Sequence, residues 1–210
     1  MEKIHFDGYK KFRKEYFKDN KKLFDKLAEG QNPHTMIITC SDSRVAPTKI
    51  LSATPGELFI ARNIGNIVPP YERTQGATQS AIEYAVNSLK VEHLVILGHS
   101  SCGACSHLYH KIQEDDKEVE LSHVDEWLKL AYPAKHNAIL ECLNNPQKNR
   151  AEVTEKNNIQ LSIQRLMTYP YIVEALENKT LELHGWWYDI GSGKLEAYNY
   201  GSKTFREIEI

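Results

Sequence analysis

Two cysteines and one histidine follow apolar runs that are typical of buried strands. Cys40 comes directly after TMIIT, and HLVIL leads through Gly98 to His99 and then to Cys102. In an open parallel sheet, ligands bind beyond the carboxyl ends of the strands, near the point where strand order reverses. If these two strands are neighbours, the side chains of Cys40, His99 and Cys102 converge.

These three side chains form a ligand set that suits zinc. Two thiolates and one imidazole are borderline-soft donors, with bonds of roughly 2.3 Å from zinc to sulfur and 2.0–2.1 Å from zinc to nitrogen. Three protein ligands leave the fourth tetrahedral position for water, as in a catalytic site. The ligands also lie in separate strand–helix units, unlike the paired knuckles of a zinc ribbon. The sequence therefore predicts a catalytic zinc site at Cys40, His99 and Cys102.

Asp42 and Arg44 follow Cys40 at two-residue intervals. Because two thiolates neutralise the charge of zinc(II), its water should be harder to deprotonate than water on a site of three histidines. A carboxylate beside a ligand can accept a hydrogen bond from hydroxide on zinc and orient it towards substrate. A forked pair with a guanidinium would keep that carboxylate ionised. We therefore predict that Asp42 and Arg44 orient the reacting oxygen and control its protonation.

The order of the apolar segments predicts an α/β fold. Three short apolar runs have the length and composition of buried strands: residues 35–39, 58–61 and 93–97. Stretches with helical spacing separate them, the clearest at 76–89. This alternation indicates a mostly parallel central sheet with flanking helices and right-handed crossovers.

The second half of the chain predicts further helices and then a change of period. Ser122 is the expected N-cap of a helix that continues through Ala131 and is bent or ended by Pro133. Later patterns predict helices over residues 152–167 and 171–178, followed by strands over residues 181–188, 195–198 and 204–210. Tight turns join these last segments, which predicts an antiparallel addition of strands at the C-terminus.

Aromatic residues at helical spacing mark the first part of the chain. Residues 5–29 predict one or two amphipathic helices, and Gly30 stands where a glycine cap would end them. Their aromatic face could pack on this subunit or on a partner subunit, and a lone monomer is not expected. Length favours a single domain over residues 1–210, made of a helical arm (1–30) and an α/β core (31–210).

Composition excludes several classes of partner. The chain has 210 residues, of which 41% are hydrophobic, and a net charge of -2 without a concentrated basic face, so we expect neither nucleic acid nor membrane as a partner. The N-terminus lacks a secretory signal and no run is long enough to span a membrane, which predicts a cytoplasmic protein. Four cysteines are too few for a disulfide framework and are expected to be thiols or metal ligands.

Five motifs resemble those of the β-class carbonic anhydrases in order and spacing. They are CSDSR at 40–44, PGELF at 55–59, ARNIGNIVPP at 61–70, SAIEYAV at 80–86 and GHSSCGA at 98–104. The resemblance extends over about residues 31–189. It implies reversible hydration of carbon dioxide to bicarbonate and a proton, by attack of hydroxide bound to one zinc ion per subunit.

The resemblance also implies roles for individual residues. Cys40, His99 and Cys102 match the family's zinc ligands, and Asp42 with Arg44 matches the pair beside them. The positions that line the substrate pocket in the family are matched by Gln31, Phe59 and Tyr84.

The resemblance further implies an assembly and a branch of the family. Part of the pocket lining comes from the other subunit of an intertwined dimer, so a homodimer or a dimer-based higher homo-oligomer is expected. RNIGNIVPPY and the segment Gly76-Ala77-Thr78 resemble the plant-like, non-allosteric branch, in which Asp42 stays paired with Arg44 and the site is open near neutral pH.

Other interpretations of the same residues stay open on sequence alone. Cys102 and Cys105 form a C-x-x-C pair, which would suit a thiol-disulfide oxidoreductase that needs no metal. The family commonly has a small or apolar residue at the position of Cys105, and we expect Cys105 to be a buried spectator. In a structural zinc protein, Cys105 or Asp42 would fill the fourth position. A related hydrolase of carbon disulfide or carbonyl sulfide would share the site. Phe59 and Tyr84 also have the spacing of core residues.

Overall fold

The structure is a computed structural model that describes residues 3–71, 76–109 and 122–209. Contacts divide the chain into two compact units, Met1–Asn32 and Pro33–Ile210. The organisation expected from sequence, one domain with an arm over residues 1–30 and a core over 31–210, stays a prediction.

The first unit is helical. Helix α1 (Lys3–Phe12) continues into a π-helical turn (Arg13–Phe17), and α2 (Lys21–Glu29) follows. Phe17 of the π-helical turn packs against Phe24 of α2, and their ring centroids are 4.8 Å apart. Gly30 ends α2 in an extended conformation, with φ of 163°, rather than in the left-handed conformation of a glycine cap.

The second unit contains a six-stranded sheet in the order β2-β1-β3-β4-β5-β6. Its strands are β1 (Thr35–Cys40), β2 (Leu58–Asn63), β3 (His93–His99), β4 (Glu182–Tyr188), β5 (Leu195–Asn199) and β6 (Thr204–Glu207). Strands β1 to β4 are parallel, whereas β5 and β6 pair in antiparallel fashion. The predicted fold class, a mostly parallel sheet with an antiparallel C-terminal addition, is therefore confirmed.

Seven helices of this unit lie within the described residues. They are α3 (Pro47–Ile50), α4 (Ala77–Glu83), α5 (Gly103–His107), α6 (His123–Leu128), α7 (Tyr132–Asn144), α8 (Arg150–Leu166) and α9 (Pro170–Glu177). A π-helical turn (Tyr84–Ser88) extends α4, and a 3₁₀ turn (Lys129–Ala131) follows α6. None of the helices in the described ranges is long and apolar enough to cross a membrane.

The cap predicted for α6 is present, but its predicted end differs. The Ser122 side chain accepts a hydrogen bond from the Asp125 N–H, and the Asp125 carboxylate accepts one from the Ser122 N–H. Helix α6 ends at Leu128, and Pro133 lies in the first turn of α7. In the first turn a missing N–H breaks no helical hydrogen bond, so Pro133 opens a helix instead of ending one.

Strand β1 lies where the strand order reverses, with β2 on one side and β3 on the other. Cys40 pairs with Asn63 of β2, and Thr39 pairs with Leu97 of β3. The carboxyl ends of β1 and β3 are thus direct neighbours, as the predicted site requires. Helix α8 packs closely on this region, since a Cβ at Gly98 would lie only 2.7 Å from the Ile159 Cδ1 atom.

Both faces of the sheet carry apolar side chains that alternate along the strands. Met36 and Ile38 face the larger core, which also contains Ile159 and Tyr169. Ile37, Val95 and Leu97 face a smaller core on the other side, with Trp186 and Tyr188 only partly buried against it. The central strands are therefore buried on both faces, as expected for parallel strands.

Candidate metal centre

The structure brings Cys40, His99 and Cys102 together at the carboxyl ends of β1 and β3. Their ligand atoms all lie within 4.8 Å of one another. Cys40 and His99 are the last residues of β1 and β3, and Cys102 is the N-cap of α5. The three residues are 5%, 0% and 2% exposed, respectively. They therefore form a compact group of potential ligands that is almost closed to solvent.

His99 presents one ring nitrogen without a partner. Its Nδ1 atom lies 2.9 Å from the Ser100 carbonyl oxygen, which can only accept, so Nδ1 carries the proton. Its Nε2 atom is buried and has no hydrogen-bond partner among the described residues. A buried polar atom without a partner is costly, and a metal ion at Nε2 would remove that cost. The donor set and this orphaned nitrogen fit a zinc ion.

The two thiols are held protonated when no cation is present. A hydrogen bond with Cys102 and burial raise the pKa of Cys40 to about 12. A hydrogen bond with Cys105, together with burial, raises the pKa of Cys102 to about 12. Because a metal binds the thiolate form, occupation of this centre by a divalent cation would release thiol protons.

A glycine supports the Cys40 sulfur from the loop after β2. The Gly65 N–H donates to the Cys40 Sγ atom across 3.4 Å. Gly65 has φ of +81°, and a Cβ there would lie 3.0 Å from the Ala104 Cβ atom. The position therefore favours glycine for both its backbone conformation and its close packing.

Asp42 and Arg44 form a forked ion pair at the edge of this group. The Arg44 Nε atom donates to Asp42 Oδ1 across 3.0 Å, and Nη2 donates to Oδ2 across 2.7 Å. These hydrogen bonds hold the pKa of Asp42 well below its usual range. Arg44 Nη2 also donates to the Ser101 carbonyl oxygen across 3.0 Å, which joins the loops after β1 and β3. Asp42 Oδ2 lies 3.9 Å from His99 Nε2, which is beyond hydrogen-bond distance.

Phe59 and Tyr84 pack against each other but not against this centre. Their ring centroids are 5.9 Å apart. Phe59 pairs with Met36, whereas Cys40 pairs with Asn63. Met36 and Cys40 are four residues apart on β1, so Phe59 and Cys40 are about 13 Å apart along the strand direction. Within one chain, Phe59 and Tyr84 therefore do not line a pocket over the thiols.

Two other residues named from the sequence lie outside the group of ligands. Gln31 belongs to the first unit and is exposed. Cys105 is buried in the same sulfur cluster as Cys40 and Cys102, but it is not part of the three-residue group.

A buried carboxylate that was not predicted from the sequence lies behind Cys102. Glu155 of α8 is 3% exposed, and it accepts hydrogen bonds from the Cys102 N–H and from the Trp187 Nε1–H, each across 3.0 Å. Burial raises the pKa of Glu155. A signal was present, because Glu155 shares its helical spacing with the apolar Ile159 and Ile163 and so lies on the buried face of the helix.

Arg62 was also missed. Its guanidinium donates to the Cys40 carbonyl oxygen across 3.0 Å and to the Val45 carbonyl oxygen across 2.8 Å. These two bonds fix the backbone that carries Asp42 and Arg44. Ser41, Arg62 and Asn63 line one side of an adjoining cleft of about 480 Å³.

Comparisons with known proteins agree with this geometry. A family model described as carbonic anhydrase matches residues 35–195. A carbonic anhydrase of Helicobacter pylori is 35% identical over an alignment of 212 positions, which covers 97% of this chain and 93% of the relative. The solved β-carbonic anhydrase CcaA has a TM-score of 0.89 at 35% identity and covers 98% of both chains. A structure of tetrameric β-carbonic anhydrases from Sordaria macrospora has a TM-score of 0.80 at 34% identity, covering 92% of this chain and 94% of that one. The chain belongs to the β-carbonic anhydrases, zinc enzymes that catalyse the reversible hydration of carbon dioxide to bicarbonate and a proton.

Proposed function

We propose that Cys40, His99 and Cys102 hold the catalytic zinc ion of this carbonic anhydrase. The observation that carries the proposal is the buried His99 Nε2 atom, which has no hydrogen-bond partner among the described residues, in a group whose three ligand atoms lie within 4.8 Å of one another. Zinc, when bound, supplies Lewis-acid activation of a water molecule. Three protein ligands leave one position of a tetrahedral site for that water.

Asp42 is proposed to orient the reacting water. Its carboxylate lies at the edge of the ligand group and remains ionised because Arg44 donates to both of its oxygens. An ionised carboxylate can only accept hydrogen bonds, so it would turn a lone pair of the water oxygen towards carbon dioxide. Since Asp42 is engaged by Arg44, the position for water stays open. This pairing supports membership of the plant-like, non-allosteric branch.

Phe59, Tyr84 and Gln31 are proposed to line the carbon dioxide pocket of a second copy. For Phe59 and for Tyr84, which packs on it, this follows from the distance of about 13 Å between Phe59 and Cys40 along the paired strands. For Gln31 it follows from the family resemblance alone. It requires a homodimer, either alone or as part of a larger homo-oligomer. The tetrameric relatives from Sordaria macrospora support an assembly of this kind.

The shared pocket can be tested by complementation. Asp42→Asn and Phe59→Ala chains, co-expressed with different tags and purified through both, should recover activity that neither variant has alone. Each mixed dimer would contain one site with both wild-type residues. If every chain lines its own pocket, the mixed preparation would be no more active than the two variants measured separately.

A cytoplasmic location is proposed from the state of the cysteines. All four are free thiols, and three of them form a buried cluster. A reducing compartment preserves such thiols as metal ligands.

The geometry also weighs against two of the rival functions. Cys102 and Cys105 are both buried, so neither presents an exposed thiolate to a disulfide substrate. A structural zinc site would need Asp42 or Cys105 as its fourth ligand, but Arg44 engages both oxygens of Asp42 and Cys105 is not part of the three-residue group. Hydrolysis of carbon disulfide or carbonyl sulfide would use the same ligands and is distinguished by measuring both reactions.

Stopped-flow hydration of carbon dioxide, followed with a pH indicator on protein of known zinc content, tests the assignment of residues. We expect Asp42→Asn to keep its zinc and to lose about 10–100-fold in activity, because a group beside the metal is removed while the ligands remain. Asp25→Asn, on the exposed side of α2, is the matched control and should keep full activity. An Asp42→Asn variant with wild-type rates would contradict the role of Asp42.

A further inference from the structure

A second group of ligand-type side chains lies at the opposite edge of the same sheet. His93 is the first residue of β3 and pairs directly with Glu182, the first residue of β4. His184 follows two residues later on β4, so it lies on the same face as Glu182. This amino edge, where the parallel strands begin, thus carries two imidazoles and one carboxylate on one face.

The distances within this group match those of a metal site. His93 Nδ1 lies 3.2 Å from His184 Nε2. Glu182 Oε2 lies 3.8 Å from His93 Nδ1 and 3.7 Å from His184 Nε2. Two ligands of a tetrahedral zinc ion, each with a bond of 2.0–2.1 Å, are separated by about 3.3 Å. Small side-chain adjustments would therefore bring all three atoms into coordination.

The backbone holds these ligands in place. The His93 N–H donates to the His34 carbonyl oxygen across 3.1 Å, and the Glu182 N–H donates to the Glu92 carbonyl oxygen across 2.8 Å. The nearby His34 and Glu92 side chains pair with each other, with Nδ1 and Oε1 3.3 Å apart. A site built on paired strands is more rigid than one built on a loop.

The environment suits an ion that enters from solvent. The side chains of His93, Glu182 and His184 are 41%, 70% and 30% exposed. An ion can reach all three, and a water molecule can take the remaining position. Two imidazoles and a carboxylate suit zinc, cobalt and nickel ions.

We propose that His93, Glu182 and His184 form a second site for a divalent transition-metal ion at the amino edge of the sheet. The site joins the first residues of β3 and β4 and shares no residue with the centre at Cys40. It does not depend on the roles proposed for that centre.

Cobalt(II) binding to the zinc-loaded holoenzyme tests this site. Enzyme with one zinc ion per chain is dialysed against cobalt(II), and both metals are then quantified. We expect one additional cobalt ion per chain, no loss of zinc, and visible absorption without the intense thiolate-to-cobalt bands that the cysteine centre would give. Carbon dioxide hydration should be unchanged.

Variants assign the additional ion to its ligands. His93→Gln and His184→Gln should each lose the extra cobalt ion while keeping zinc and hydration activity. His136→Gln, at an exposed position of α7, is the matched control and should keep both metals. The proposal is overturned if the holoenzyme takes up no extra cobalt, if cobalt enters only as zinc leaves, or if both variants bind as much cobalt as the control.

Discussion

The two edges of one parallel sheet carry histidines in opposite environments. At the carboxyl edge, His99 is buried, and its Nε2 atom has no hydrogen-bond partner among the described residues. At the amino edge, His93 and His184 are partly exposed and lie within hydrogen-bond distance of each other. A polar group that water cannot reach needs a partner within the fold, whereas an exposed group does not. The zinc ion proposed at the carboxyl edge would therefore complete the fold there, whereas the ion proposed at the amino edge would be an optional addition.

The largest effect is expected from Cys40→Ala. This change removes one of two sulfur ligands, so the protein should lose zinc, and hydration of carbon dioxide should fall to the rate of buffer alone. Metal analysis and stopped-flow kinetics on the same preparation would measure both. Cys142→Ala, a half-buried thiol of α7, should retain both. Cobalt binding at the amino edge should survive the Cys40 change, and zinc content that also survives would refute the assigned centre.

A smaller effect is expected when the support of Asp42 is removed. Arg44→Gln deletes the two forked hydrogen bonds but leaves all three metal ligands, so zinc content should stay the same. Activity should fall by about 10–100-fold, the range typical for groups that orient metal ligands. Arg44→Lys should fall between wild type and Arg44→Gln, because lysine supplies the charge without the fork. Equal kcat/KM values for Arg44→Gln and wild type would show that Asp42 needs no partner.

The carboxyl edge was largely predictable from the sequence, and the amino edge was not. Cys40 and His99 each end an apolar run, and one assumption about neighbouring strands was enough to bring them together. His93 and His184 meet only because β3 pairs with β4, and β4 was recognised as a tail strand without a known partner. Sequence periodicity reports which face a side chain occupies but not which distant strand lies beside it.

The same limit explains the other differences. Glu155 interacts with the metal centre through the Cys102 backbone, a tertiary contact that the spacing on α8 does not reveal. The register of β1 with β2 separates Phe59 from Cys40 of the same chain, and neither motif order nor the resemblance tells which subunit's pocket Phe59 lines. The start of helix α7 was not predicted, because Pro133 was expected to bend or end the preceding helix rather than to lie in a first turn.

A moderate loss of stability is expected from Glu155→Gln. The amide oxygen of glutamine can accept from the Cys102 N–H or from the Trp187 Nε1–H, while its NH₂ group would face the other donor. One buried donor left without a partner should lower the free energy of unfolding by about 1–3 kcal/mol. Urea unfolding at saturating zinc would measure this loss. Glu152→Gln, one turn earlier on α8, removes a more exposed pair with Lys156 and should cost less than about 1 kcal/mol. Equal losses for the two variants would contradict the role of Glu155.

The smallest effect is expected for the pH dependence of folding stability when His184 at the amino edge is replaced, measured without added metal. The lowered pKa of His184 means that the unfolded chain takes up a proton at this position more readily than the native protein does. Its contribution to stability is therefore present above the unfolded pKa of about 6.5 and is lost as pH falls through the lower native value. His93 and Glu182 face His184 and have opposite effects on its pKa. A positive His93 lowers the pKa of His184, and an ionised Glu182 raises it. His184→Gln should therefore lose less stability than wild type between pH 7.5 and 5.5. Thermal unfolding midpoints at the two pH values would measure the difference, with His136→Gln expected to follow wild type.

A steeper loss of stability at acid pH in His184→Gln than in wild type would contradict this prediction. It would mean that Glu182 outweighs burial at this edge and that the His184 ring is already charged in the native protein.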